Sequence, residues 1–210
     1  MKRKFLVAIT AVAFVFLTAC DNGASSNDDD ERVLNDSRDG QVYKIVKIGD
    51  QVWMAENLKY EIPVASGASP SSFCYENREE SCKSYGRLYT WTEAVNVCPK
   101  GWHLPDSSEW NKLFIAVGGK QLAGEKLKSA DSIWYYGGQG TDEFGFGALP
   151  AGFSKGFNGF YDFRKYGNFW TTTNSDDSNA YHVTVFYNKK SADYIVDPKS
   201  YALSVRCLKN

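Results

Sequence analysis

Five cysteines, two histidines and a few paired carboxylates are the residues of this 210-residue chain whose types could carry a reaction. Thiol catalysis needs a free cysteine held as its thiolate beside a base or a cation. With Cys20 treated separately below, Cys74, Cys82, Cys98 and Cys207 remain, and an even set in an exported chain points to two disulfides, with three possible connectivities. His103 lies in a GWHLP turn and His182 on a strand-like run, and neither has a Ser or Cys arrangement that would make a triad. Adjacent carboxylates such as Asp142-Glu143 do not set up glycoside hydrolysis, whose two groups must flank a bond at a set separation. A zinc site would want closer C-x-x-C or Cys/His clustering. No catalytic residue, metal or cofactor is expected.

Recognition is better supplied than reaction. Trp134, Tyr135 and Tyr136, with Asp142 and Glu143 close behind in a glycine-rich segment, offer rings for stacking and carboxylates for polar contacts, and they are the ligand-binding candidates. The competing reading is that these rings fill a hollow under a long loop, as aromatics of small domains more often do. Asn174, Asp176 and Asp177 could give calcium its oxygens, but the same residues make an ordinary solvated turn.

The elements that must position these groups centre on Tyr85 to Phe114. Thr90-Trp91-Thr92-Glu93 predicts a capped helix of about two turns, stopped by Pro99 and Gly101. Asp106-Ser107-Ser108-Glu109 repeats the capping box, and Trp110, Leu113, Phe114 and Val117 then fall on one helical face. Gly118-Gly119 supplies the exit. Val42 to Ile48 and Gln51 to Glu56 predict a hairpin across Gly49-Asp50. Residues 61–85 read as a long surface loop closed by Cys74 and Cys82. In the last strand Leu203, Val205 and Cys207 alternate, which turns Cys207 inward toward the helix ending at Cys98. The favoured pairs are therefore Cys74–Cys82 and Cys98–Cys207, the second stabilising by about 4 to 5 kcal/mol in the chain-entropy model.

Between these anchors, Leu122 to Lys128 predicts a short helix, and Phe144, Phe146 and Ala148 alternate with glycines as a strand would. Phe169 to Thr173, Ala180 to Tyr187, Ala192 to Val196 and Tyr201 to Leu208 are further strands. Early helices followed by strands predict an α+β domain, short helices packed on a mostly antiparallel twisted sheet with long loops.

The N-terminus reads as an address. Lys2, Arg3 and Lys4 precede a thirteen-residue apolar or neutral run, Phe5 to Leu17, with the length of a signal-peptide core. Leu17-Thr18-Ala19-Cys20 resembles the lipobox of bacterial lipoproteins, which implies removal of residues 1–19 and lipidation of Cys20. Residues 20–40 then form a flexible acidic tether, and residues 41–210 a single domain. Loss of Lys2, Arg3 and Lys4 takes 24 basic residues to 21 against 25 acidic, a net of −4. Without a basic run, nucleic acid and anionic membrane surfaces are poor partners. The expected place is the non-cytoplasmic side of a bacterial envelope membrane, the outer membrane or cell surface included.

The segments CYEN, YGRLYTW, CPKGWHLP, GFGALPAGF, NFW and SVRC resemble the Fibrobacter succinogenes major paralogous domain over most of residues 41–210. That family is similar to the C-type lectin-like fold, and HLPDSSEW also resembles an element of the formylglycine-generating sulfatase-modifying enzymes. The resemblance implies a helix cysteine bridged to the last strand, in agreement with Cys98–Cys207. The EPN and WND motifs of calcium-dependent lectins are absent. The expected function is a non-catalytic, envelope-anchored binding module for glycan or protein. The alternatives are a surface lipoprotein with an assembly role and, further off, a formylglycine-generating-type oxidoreductase.

Overall fold

The computed structural model of the chain describes residues 33–156 and 159–210. Cys20 and the apolar N-terminal run lie outside those residues. In chain order the strands are β1 (Val33–Asn35), β2 (Val42–Ile48), β3 (Gln51–Met54), β4 (Ser72–Phe73), β5 (Leu88–Thr90), β6 (Trp102–His103) and β7 (Phe153–Ser154). They continue as β8 (Phe160–Tyr161), β9 (Tyr166–Asn174), β10 (Asn179–Phe186), β11 (Ala192–Pro198), β12 (Ala202–Ser204) and β13 (Leu208–Lys209). The helices are α1 (Glu79–Tyr85), α2 (Trp91–Ala94), α3 (Ser107–Ala116) and α4 (Lys120–Leu127). The result is a mixed α and β fold with short helices and two mostly antiparallel sheets, ordered β1-β2-β3-β13-β6 and β11-β10-β9-β12-β5-β4.

The β2–β3 hairpin turns at Gly49, whose φ of 59° is the left-handed value such a turn requires. Ahead of it β1 pairs along β2, with Leu34 buried opposite Tyr43. Asp36 is buried too, and its carboxylate accepts from the Arg38 guanidinium, which also donates to the Val97 carbonyl at 2.7 Å. Residues 33–40 therefore belong to the folded part rather than to the tether; two apolar residues, of which only Leu34 is buried, beside a local ion pair are too short a pattern to show periodicity.

The C-terminal segment stitches the sheets together. The expected single strand from Tyr201 to Leu208 is two strands, β12 in one sheet and β13 in the other, with Val205, Arg206 and Cys207 crossing between them. Backbone N–H groups of Met54 and Leu58 donate to the carbonyls of Cys207 and Val205, so the crossing keeps its polar groups paired. Side chains on both faces of the crossing are buried, and Cys207 is bonded to Cys98, 109 residues earlier. Cys74 and Cys82 form the second disulfide.

Asp106 makes the full capping box with Glu109, and Trp110, Leu113, Phe114 and Val117 are buried as the helical face requires. Trp110 packs against Trp53, Phe146 and Phe169 at ring separations of 4.8, 5.9 and 5.8 Å, the centre of one core. A second core gathers Tyr43, Trp170, Leu203, Val205 and Cys207 beneath the crossing.

Three expectations are corrected. The Thr90 side chain makes no cap bond and α2 is a single turn, its first N–H, that of Trp91, satisfied instead by the Lys199 carbonyl. The loop expected over residues 61–85 ends in β4 and α1, held by the disulfide at Cys82. The alternating Phe144-to-Ala148 segment is not a strand; positive φ at Gly145 and Gly147 folds it into turns that put Phe146 and Ala148 in the core.

Candidate binding surface

The aromatic triplet splits into one buried ring and two surface rings. Trp134 is 1% exposed, its indole N–H donating to Ser129 Oγ at 3.1 Å, so it packs the core and cannot stack on a ligand. Tyr135 is half-buried, edge-on to Tyr187 at 5.5 Å. Tyr136 is 86% exposed, with its ring 4.1 Å from that of Tyr135. The hydrogen-bonding contact with the Tyr135 phenol raises the Tyr136 hydroxyl above its usual range. Tyr136 has φ 48°, a left-handed conformation that costs a side-chain-bearing residue about 1–2 kcal/mol.

Two cations hold this loop in place. Arg164 Nε donates to the Ile133 carbonyl at 2.6 Å and Nη2 to that of Ser132, while the Tyr135 N–H donates to the Arg164 carbonyl. On the inner side Lys128, 3% exposed, donates to the carbonyls of Gly138, Phe186 and Lys189 at 2.8, 2.9 and 3.2 Å. Three acceptors match the three donors of an ammonium, and the Trp134 ring lies 5.3 Å from Nζ. Burial pushes this ammonium down to about 8. Gly138 and Gly140 of the GGQG run serve close approach: a Cβ at Gly138 would meet the Tyr187 carbonyl oxygen at 2.2 Å.

The acidic pair does not join the rings. Asp142 accepts the Gly147 N–H at 2.7 Å, stapling its own turn, and burial raises its carboxyl above the ordinary range. Glu143 reaches Lys126 at 3.3 Å on the surface. The Asp176 carboxylate is occupied by the N–H groups of Ser178 and Asn179 and by the Asn179 amide, which lowers its pKa and makes it a turn-former.

The keystone that sequence reading missed is Arg206, fully buried in the crossing. Nε donates to Asn57 Oδ1 at 2.6 Å, Nη1 to the carbonyls of Met54 and Phe146 at 3.1 and 2.5 Å, and Nη2 to that of Gly147 at 2.6 Å. Its guanidinium lies 4.7 Å from the Phe146 ring centre. Burial pulls it down to about 9, still cationic at neutral pH. GFGALPAGF and SVRC, far apart in sequence, thus meet through one side chain.

The chemistry-bearing residues are committed to the fold. All four described cysteines are in disulfides. His103 lies between Glu109 Oε1 at 2.9 Å and Asn210 Oδ1 at 2.7 Å. His182 does meet a hydroxyl and a carboxylate, Thr184 at 3.2 Å and Asp197 at 2.9 Å, a grouping that residue spacing did not reveal. The Thr184 hydroxyl donates to Asn168 Oδ1 instead, and both Thr184 and His182 are buried, so no substrate atom reaches that oxygen.

Among the described residues no helix is long and apolar enough to cross a membrane. No curated protein and no solved structure matches the chain. The family profile described as the Fibrobacter succinogenes major domain matches residues 46–209, from the first hairpin through the crossing to β13, and the chain belongs to that family.

Proposed function

We propose that the chain is an envelope-anchored lipoprotein, lipidated at Cys20, whose folded part is a non-catalytic, lectin-like module that binds glycan through the Tyr135–Tyr136 face. The observation that carries this reading is Tyr136, a nearly fully exposed ring kept in a strained backbone conformation on a loop clamped by Arg164 and Lys128. Exposure of a large ring and retained strain both oppose stability, and strain of this kind clusters where a ligand is gripped. A rigid aromatic pair with two phenols supplies what a sugar requires, a ring face for its C–H groups and hydroxyls for its own. The disulfide from the middle of the chain to its tail supports the lectin-like assignment, and thiols locked in bridges speak against a formylglycine-type reaction.

The test is a glycan array followed by titration of the best hit. Tyr136→Gly removes the ring and relieves the left-handed strain, so the melting temperature stays level while affinity falls about tenfold, the worth of one stacked ring. Unchanged glycan affinity in Tyr136→Gly would refute the assignment. Capture of an envelope protein, insensitive to sugars, would move the chain to an assembly role.

A further inference from the structure

Two surface clefts meet at one buried cation, Arg87. The first, of about 390 Å³, is charged, with Asp39, Lys59 and Lys83 in its wall. The second, of about 420 Å³, is mixed, with an apolar wall of Ile62, Val64, Pro70, Phe73 and Phe160 facing polar groups that include Ser72 and Asn77. Arg87, Glu61 and Glu79 belong to both. The Cys74–Cys82 bridge stands between them, one sulfur residue lining each, and ties α1 down as a common wall.

The pairing of Arg87 is poor for so buried a charge. Its side chain is 6% exposed, yet its carboxylate neighbours Glu61 and Glu79 are 71% and 65% exposed, at 2.8 and 3.6 Å. Both contacts fall on one terminal nitrogen, Nη2, whereas a carboxylate seated squarely on a guanidinium takes two parallel N–H groups. Water-exposed acids attract weakly, so they leave the desolvation of Arg87 largely uncompensated. A ligand carboxylate entering the fork would displace them with little loss. The group attached to that carboxylate would then face the apolar wall of the second cleft. Beside that cleft runs β4, the outer strand of its sheet, with Ser72 in the lining and β5 its one partner strand among the described residues. An end strand, here of two mostly buried residues, can take up a short stretch of extended peptide backbone, which a fatty acid does not have.

We propose that this junction binds the C-terminus of a peptide ending in a bulky apolar residue. Its carboxylate sits on Arg87, its last side chain fills the cleft of Ile62, Phe73 and Phe160, and its backbone lies along β4. Glu61 and Glu79 act as resident competitors for the cation. This site is separate from the tyrosine face and does not rest on it.

The experiment titrates the full-length protein into a short fluorescein-labelled peptide ending in phenylalanine, as free acid and as C-terminal amide, read by fluorescence polarisation. The free acid binds, and the amide is weaker by about tenfold or more, as expected on loss of a charge-assisted bidentate contact. Arg87→Gln loses the preference for the acid. Glu61→Gln with Glu79→Gln, both on exposed side chains that the fold can lose, tightens the acid because its competitors are gone. Tyr136→Gly leaves the binding unchanged. Equal binding of acid and amide, no binding of either, or weaker acid binding in the double glutamine variant would overturn the proposal. So would decanoate displacing the peptide as well as the unlabelled peptide does, since the backbone would then be idle.

Discussion

Replacing Arg206 by methionine keeps most of the side-chain volume and removes every donor. Asn57 Oδ1 and the carbonyls of Met54, Phe146 and Gly147 then lose a charge-assisted bond inside the protein, where water does not replace it. Each bereft acceptor costs about 1–3 kcal/mol, and the lower figure suits carbonyls with a second lone pair. Four acceptors at about 1 kcal/mol each, and about 1 kcal/mol for the contact with the Phe146 ring, give a gross loss of about 5 kcal/mol. Relief from desolvating a cation offsets part of this, which leaves about 3–4 kcal/mol. In a chain of this size that lowers the melting temperature by about 10 °C. Arg206→Lys falls between, since one ammonium cannot span four acceptors. The assay is urea unfolding of oxidised protein, followed by tryptophan fluorescence and by circular dichroism. If Arg206→Met unfolds within about 0.5 kcal/mol of the parent, the guanidinium is not what joins the GFG turn to the crossing, and the reasoning fails.

Three other outcomes follow from the buried groups. Lys128 holds its proton in the unfolded chain up to 10.5 but in the folded chain only to about 8. Between those values the unfolded state binds more protons, so stability rises with pH. From pH 8 to 9, where few unfolded tyrosines ionise, the gain is about 1 kcal/mol, and Lys128→Met abolishes it; equal slopes in parent and variant would contradict the assignment. Serine at both Cys98 and Cys207 lowers stability by about 5 kcal/mol, and serine at both Cys74 and Cys82 by about half of that, because the loops closed differ so much in length; equal losses would count against the entropic account. Trp134→Ala costs about 3–5 kcal/mol by leaving a cavity, with a calorimetric scan as the check and a melting temperature unmoved as the failure.

What could be read in the chain was whatever chemistry acts between near neighbours. The Asp106 box needs only Glu109, three residues on, and the β2–β3 hairpin needs only its glycine turn. The pairing of Cys98 with Cys207 came out right although its premise did not, since Cys207 lies in the crossing, outside β12 and β13, where side chains on both faces are buried. Arg206 was opaque for the opposite reason: its acceptors lie 59 to 152 residues away, and nothing local marks an arginine as buried. Lys128 hid in the same way, at the end of an unremarkable helix, and with it the fate of Trp134, whose ring lies beside that ammonium. The FGFGA alternation misled because glycine permits both extended and left-handed backbone, and tertiary contacts with the crossing chose the latter. Of the binding candidates, Tyr135 and Tyr136 reach the surface, while Asp142 and Glu143 serve local structure.

The tail locks two sheets together through Cys98–Cys207, and with Cys74–Cys82 also bridged none of the four described cysteines keeps a free thiol. A peptide map of the native protein, alkylated before digestion and without reduction, puts that to the most direct test. It should give one linked pair from Cys98 and Cys207 and another from Cys74 and Cys82, with none of the four alkylated. Recovery of alkylated Cys98 and Cys207 would contradict it, unfastening the crossing and restoring two nucleophiles.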